Sequence, residues 1–401
     1  MIVLVLNCGS SSIKYQVIDI DNNSDALLAK GLVDRIGLPE GSLTHKPVGK
    51  NNFELKQPIP DHTTGISLVL DALTNPEHGV IADLKEVKAV GHRVAHGGEF
   101  FADSAVVTEK VKEQIRSLFA IAPLHNPANL KGVNAVKEVA PEMPQVGVFD
   151  TAFHQSMPKS SYMYAIPYEM YEKYGIRRYG FHGTSHRFVS AELAKALGKP
   201  IEELKIMTCH LGNGSSITAV DGGKAIDTSM GFTPQEGICM GTRSGTIDPT
   251  VVTYLMKKHG YSAQEMEDIL NKKSGFLGVS GISNDTRDVD AAAKAGNYRA
   301  ELSLKILANG IKKHIGAYAA EMNGLDALVF TAGIGENQAN IREKVCENMK
   351  FLGIEIDVDK NNNFTRGVPF DITKDGARVR TGIIPTDEEY MIALDTKQLC
   401  E

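Results

Sequence analysis

The chain has 401 residues, 42% hydrophobic and 23% charged, and its 43 basic against 49 acidic side chains leave a net charge of −6. Length and mixture predict a soluble globular protein of two domains, with no basic face for nucleic acid and no run approaching the roughly 20 apolar residues of a membrane helix. The first residues read directly as a strand rather than a basic stretch with an apolar leader, so a cytoplasmic protein is expected.

A strand over 2–6 runs into Asn7-Cys8-Gly9-Ser10-Ser11-Ser12-Ile13-Lys14, and a second strand is expected over 13–20. The region 42–62 is polar and reads as an irregular surface hairpin. A helix over 64–73, a strand over 87–92, helices over 108–119 and 127–139, and a strand over 145–149 ending at Asp150 follow. The second part repeats this grammar. A helix over 186–197 leads to a strand over 205–210, then His210-Leu211-Gly212-Asn213-Gly214-Ser215-Ser216, then strands through 225–227. Helices are predicted over 249–258, 263–271 and 299–323, and a buried strand over 327–330 ends in the glycine loop Thr331-Ala332-Gly333-Ile334-Gly335-Glu336-Asn337. The last strand spans 378–385, and Thr386-Asp387-Glu388-Glu389 reads as a capping box opening a final helix, with Thr386 as N-cap. The pattern is a duplicated α/β architecture with its hinge close to Asp150.

The two glycine–serine turns aim backbone N–H groups and hydroxyls, such as those of Ser10 and Ser12, at one point, which suits a phosphate. Two copies facing each other across a cleft would grip a polyphosphate from both sides, so a nucleotide-dependent phosphoryl-transfer enzyme is the leading expectation. Arg93, at a strand end before Gly97-Gly98, is placed to meet an anion, a structural ion pair being the alternative. His125 precedes a helix with Pro127 near its first position, and a capping or packing role would serve equally for it alone. Asp150 stands at the C-terminal end of a strand, where open α/β sheets bind ligands. In Tyr179-Gly180-Phe181-His182-Gly183-Thr184-Ser185-His186, His182 is the better ligand group and His186 the structural one; Arg243 is framed by small residues that permit close approach. Asp285-Thr286-Arg287 looks like a helix start, with a plain N-cap and surface arginine as the alternative. Gly333-Ile334-Gly335 is not the dinucleotide fingerprint, since Gln338 replaces its third glycine. The five cysteines, Cys8, Cys209, Cys239, Cys346 and Cys400, show no zinc spacing and fit reduced thiols, with Cys8 and Cys209 read as buried filler.

Shared in order, the blocks 7–14, 177–186 and 331–337 resemble the acetate kinase family, within the superfamily of acetate and sugar kinases, heat-shock ATPase domains and actin, and the resemblance runs over 2–395. It implies two RNase-H-like domains closing around ATP: 1–150 with 385–401 returning to it, and 151–384, which would carry nucleotide binding and join a homodimer. Carried over by position, Asn7 and Glu388 hold Mg²⁺, with Mn²⁺ as an alternative, Lys14 contacts phosphate and Arg93 binds the substrate carboxylate. The catalytic acid falls on Asp150, the groups stabilising the transition state on His182 and Arg243, and His125 and Asn213 line the phosphoryl path. Contacts to ATP or ADP come from His210, Leu211, Gly212, Asn213 and Gly214, from Asp285, Thr286 and Arg287, and from Gly333, Ile334, Gly335, Glu336 and Asn337. Ala95, Leu124, Phe181 and Pro234 line the pocket for the acid's methyl group.

The implied partners are a small carboxylic acid and ATP, with neither nucleic acid nor membrane. Many acetate kinases carry valine where this chain has Ala95, and alanine there resembles the propionate kinases; a butyrate kinase stands further off. A nucleotide-switched binding protein of the actin or chaperone kind is the rival from another class, and it needs no convergent set such as Arg93, His125, His182 and Arg243.

Overall fold

The computed structural model describes residues 1–22 and 26–401, in two compact units: Met1–Gln155 with Asp387–Glu401, and Ser156–Thr386. The first is built on a sheet of eight strands in the order β5-β4-β3-β2-β1-β6-β8-β7. These are β1 (Ile2–Cys8), β2 (Ser12–Asp19), β3 (Leu27–Asp34), β4 (Gly41–Pro47), β5 (Phe53–Gln57), β6 (Val87–Val94), β7 (Ala105–Val106) and β8 (Gln145–Phe149). β1 to β5 pair antiparallel in succession, whereas β1, β6 and β8 run parallel.

The continuous apolar run of β1 follows from its central place, buried on both faces. Leu4 and Leu6 pack with Ile66, Val69 and Val136 of the helices His62–Thr74 and Asn126–Val139, and Val3 and Val5 pack with Ile392 and Ala393 of the terminal helix Glu388–Cys400. The region 42–62 is not irregular. β4 and β5 pair from Gly41↔Gln57 to His45↔Phe53, and β4 turns Leu43 and His45 inward with a period of two. Polar residues on its other face hide that alternation in the sequence.

The second unit holds β9 (Lys205–Leu211), β10 (Ser215–Asp221), β11 (Lys224–Thr228), β12 (Ala327–Thr331), β13 (Phe370–Asp371) and β14 (Arg380–Ile383), ordered β11-β10-β9-β12-β14-β13. The orders β3-β2-β1-β6-β8 and β11-β10-β9-β12-β14 are one pattern: an antiparallel meander of three strands, then two parallel strands on the far side of the first. Helix Tyr298–Glu321 covers this sheet with Leu304, Leu307, Ile311 and Ile315. Among the described residues no helix is long and apolar enough to cross a membrane.

Two local expectations are corrected. The N-cap of the terminal helix is Asp387, whose carboxylate accepts from the Tyr390 N–H at 2.9 Å. Thr386 is unavailable because its hydroxyl donates to Ser185 Oγ and its N–H to Glu336 Oε1. The glycine loop is itself a helical turn, Ala332–Asn337, in which Glu336 Oε1 also accepts the Ala332 N–H at 2.9 Å.

His92 on β6 is 1% exposed and donates from Nε2 to Gln145 Oε1 at 2.8 Å. Burial lowers its pKa to about 4. An unfolded histidine takes a proton near pH 6.5, so this contribution to stability is complete above that pH and is lost as pH falls towards 4. We expect His92→Gln to lose about 2 kcal/mol less stability than the wild type between pH 7 and pH 5, read from urea unfolding midpoints; equal losses would assign the acid sensitivity elsewhere.

Candidate active site

The parallel strands β1, β6 and β8 deliver Asn7, Arg93 and Asp150 at or next to their C-terminal ends, the ligand-binding edge of such sheets. Arg93 grips Asp150 with two bonds, Nε to Oδ1 at 3.1 Å and Nη2 to Oδ2 at 2.6 Å. Asp150 beside it, opposed by burial, holds the guanidinium pKa above the ordinary arginine range. Glu388 opens the terminal helix, where the helix dipole favours a negative charge. Burial nevertheless pushes its pKa up to about 7, Arg93 pulling it down while Asp150, Glu389 and Asp387 add to the rise. Asn7, Lys14, Arg93 and Glu388 line one cavity of about 330 Å³. Glu388 Oε1 is fully buried there without a hydrogen-bond partner among the described residues. An orphaned carboxylate oxygen and an amide oxygen in one cavity are hard donors, and they fit Mg²⁺.

Two asparagines that sequence reasoning passed over hold this edge together. Asn129 donates to Cys8 O at 2.9 Å and accepts from Ala95 N–H at 3.0 Å, and Asn126 makes both bonds to the His96 backbone. Their helix thereby ties the ends of β1 and β6 and sets the position of Ala95. Beside it His125 is the N-cap without a side-chain cap bond, and Leu124 is 70% exposed. Cys8 is buried, which raises its pKa to about 12 and makes it inert filler. Ser12 accepts the Gly9 N–H through its carbonyl, while Ser10 lines a separate cavity with His62 and Lys131. Lys30 and Lys46, also unforeseen, face each other across β3 and β4 and line the cavity with Lys14.

In the second unit the serine turn joins β9 to β10. His182 caps the helix Gly183–Leu197 in the left-handed region, at φ 58°, and stacks on His210 with ring centroids 4.1 Å apart. A Cβ on Gly214 would lie 3.3 Å from Arg243 Nη1 and 3.6 Å from His182 Nε2, so turn, imidazole and guanidinium converge. Arg243 Nη1 donates to Pro234 O at 2.9 Å, and among the described residues the guanidinium pairs with no carboxylate. Burial alone lowers its pKa. Phe181 packs beneath it with Met230 and Met240.

A cavity of about 690 Å³ opens beside the turn. Of the expected nucleotide residues, Gly212, Asn213, Asp285, Thr286, Arg287, Gly333, Ile334 and Asn337 line it; Asn284, Gln338 and Arg366 join them unforeseen. Asp285 is the N-cap of the helix Thr286–Lys294, and its pKa is lowered to about 2 by bonds from the exposed Arg287. His210, Leu211, Gly214, Gly335 and Glu336 lie outside the cavity lining; His210 Nδ1 meets Ser185 Oγ, and Leu211 is buried in the core. The carbonyls of Gly335 and Glu336 accept from Arg342, a buried guanidinium whose other bonds go to Asn361.

The family model of the acetokinases matches residues 2–394. The chain belongs to the acetokinase family. It is 56% identical to acetate kinase 2 of Clostridium perfringens over 99% of this chain and 98% of that one. The fold matches the crystal structure of Porphyromonas gingivalis acetate kinase with a TM-score of 0.95 at 48% identity, covering all of both chains. A propionate kinase from Francisella tularensis superposes with a TM-score of 0.91 at 42% identity, over 99% of each. The two sheets are accordingly those of the two-domain actin-like ATPase fold of these acetokinases.

A Cβ on Gly241 would fall 1.8 Å from Asn213 Oδ1. Asn213 is exposed, so its amide can turn aside and the fold survives. We expect Gly241→Ala to keep its melting temperature within a few degrees and to lose at least about tenfold in kinase turnover, as for one removed polar contact in a transition state. Unchanged turnover would show that Asn213 has no part in it.

Proposed function

We propose that the chain catalyses the reversible transfer of the γ-phosphoryl group of ATP to acetate, forming acetyl phosphate and ADP. The observation that carries this reading is Arg243: a partly buried guanidinium that pairs with no carboxylate among the described residues, beside His182 and a serine turn, stabilised once an anion arrives.

Acetate is already ionised at neutral pH, so no general base is required. One carboxylate oxygen attacks the γ-phosphorus in line, its bond forms as the bond to the ADP oxygen breaks, and no proton is moved. The obstacle is repulsion between two anions, and catalysis reduces to positioning and neutralisation. In this proposal Arg93, oriented by Asp150, holds the acetate carboxylate, while Arg243, His182 and Asn213 neutralise the oxygens of the transferring group. Lys14 and His125 add positive or hydrogen-bonding groups along the same path. The cavity beside the serine turn of the second unit takes the nucleotide, with Arg366 and Asn284 supplementing the expected residues. Asn7 and Glu388 would hold the Mg²⁺ ion, which screens phosphate charge when bound.

Removing a transition-state guanidinium costs roughly 3–4 kcal/mol, or two to three decades in rate. We expect Arg243→Ala and Arg93→Ala each to lose about three decades of turnover in acetyl phosphate formation trapped as the hydroxamate; near wild-type rates in either would refute its role. Ala95 supports a second, minor substrate. Two methyls fewer than valine make room for one CH₂, an effect of roughly 1–3 kcal/mol. The expected outcome is a kcat/KM preference for acetate over propionate below a few hundred-fold, and a larger ratio would show that Ala95 does not widen the site.

A further inference from the structure

Behind His182 runs a line of buried groups that the phosphoryl transfer does not itself require. His182 Nδ1 lies 2.8 Å from Ser216 Oγ, Ser216 Oγ lies 2.7 Å from His186 Nε2, and His186 Nδ1 lies 2.7 Å from Thr208 Oγ1. Thr208, His186 and Ser216 are completely buried. The helix makes the arrangement, because His186 stands four residues beyond the N-cap His182, and its N–H donates to the His182 carbonyl at 3.0 Å.

Each hydroxyl has one proton to give, and the far end decides the direction. Thr208 Oγ1 donates to the Thr218 carbonyl at 3.4 Å. Both Thr208 contacts are made together only when Thr208 accepts from His186 Nδ1–H, which leaves His186 Nε2 bare as an acceptor. Ser216 gives its only proton to that nitrogen and accepts in turn from His182 Nδ1–H. We propose that Ser216 and His186 form a relay that fixes His182 in the Nδ1–H tautomer, with Nε2 turned to the Gly214 and Arg243 side. With Nδ1–H held by Ser216, Nε2 is the nitrogen that faces that side, and when the ring is already protonated before substrate binds it is Nε2–H that donates to the phosphoryl oxygens; this role rests on the one proposed for His182. Ser216 and His186 are positioning residues. A neutral imidazole left to itself prefers the proton on Nε2, so the relay has a measurable effect. A hydroxyl in the middle of the line, unlike a carboxylate, sets the tautomer without permanently charging the ring.

The test is long-range ¹H–¹⁵N correlation on the full chain labelled at histidine, with His182 assigned by its loss in His182→Gln. At a pH where the ring is neutral, wild-type His182 should show a protonated Nδ1 and a bare Nε2. In Ser216→Ala the pattern should move towards the Nε2–H tautomer, with kcat lowered at least tenfold and KM for ATP within about twofold. A wild-type ring protonated on Nε2, or a tautomer unmoved in Ser216→Ala, overturns the relay; the wild-type measurement decides even if that variant fails to fold. Full turnover in His182→Gln alongside the expected tautomer would instead refute the catalytic role of His182 and leave the relay standing.

Discussion

A guanidinium taken out of water must be answered by acceptors, and the kind of acceptor tells what each buried arginine is for. Arg342 is answered by carbonyls of Gly335, Glu336 and Asn361, and burial lowers its pKa to about 10. It ends the short helix that borders the 690 Å³ cavity of the second unit. Arg178 is answered by Glu236 at 2.8 Å and by the carbonyls of Thr228 and Ser229, which anchors the segment leading to Pro234. Arg93 has a full carboxylate partner in Asp150 but keeps 29% of its side chain exposed to the cavity. Among the described residues Arg243 has a single backbone carbonyl and a thioether, and its remaining N–H donors, none of them fully buried, are open to water or to an anion. Among the described residues Arg342 and Arg178 each hold several acceptors, although Arg178 Nε is buried without one, and Arg243 holds the fewest of the four.

That distinction could not be drawn in the sequence, where the partners of these four arginines are not visible. What could be read there was local. The serine turns, Asp150 at its strand end and the helix start at Asp285 are each dictated by residues within a few positions, and the structure has them where the spacing put them. The family blocks carried the rest of the site list. Asn126 and Asn129 escaped because their partners lie far off in the chain: Asn126 reaches His96, 30 residues away, and Asn129 reaches Cys8, 121 residues away. Lys30 and Lys46 become neighbours only through strand register.

The local misreadings have the same origin. Thr386 has the side chain of an N-cap, yet its hydroxyl and N–H are bound to Ser185 and Glu336, and the cap passes to the next residue. Two glycines suggested a loop at 331–337, but Glu336 reaches back to the Ala332 N–H and closes a helical turn, with Ala332 held at φ 63°. A non-glycine residue in that region costs roughly 1 kcal/mol or more, as His182 does at φ 58°. These two, of five such residues among those described, stand at the N-terminal ends of helices that border the proposed site.

The duplicated sheets also divide the electrostatic labour. The first unit gathers carboxylates, with Asp150, Asp387, Glu388 and Glu389 bearing on one another strongly enough, with burial, to push Glu388 up to about 7. Such a cluster is eased by added positive charge, and Arg93 supplies only part of it. The second unit does the reverse around its serine turn, where among the described residues Arg243 pairs with no carboxylate and His182 meets the Ser216 hydroxyl with the His186 imidazole behind it. A net charge of −6 is then no obstacle to binding anions, because long-range repulsion is screened beyond about 10 Å at ordinary ionic strength while desolvated charges at close range are not.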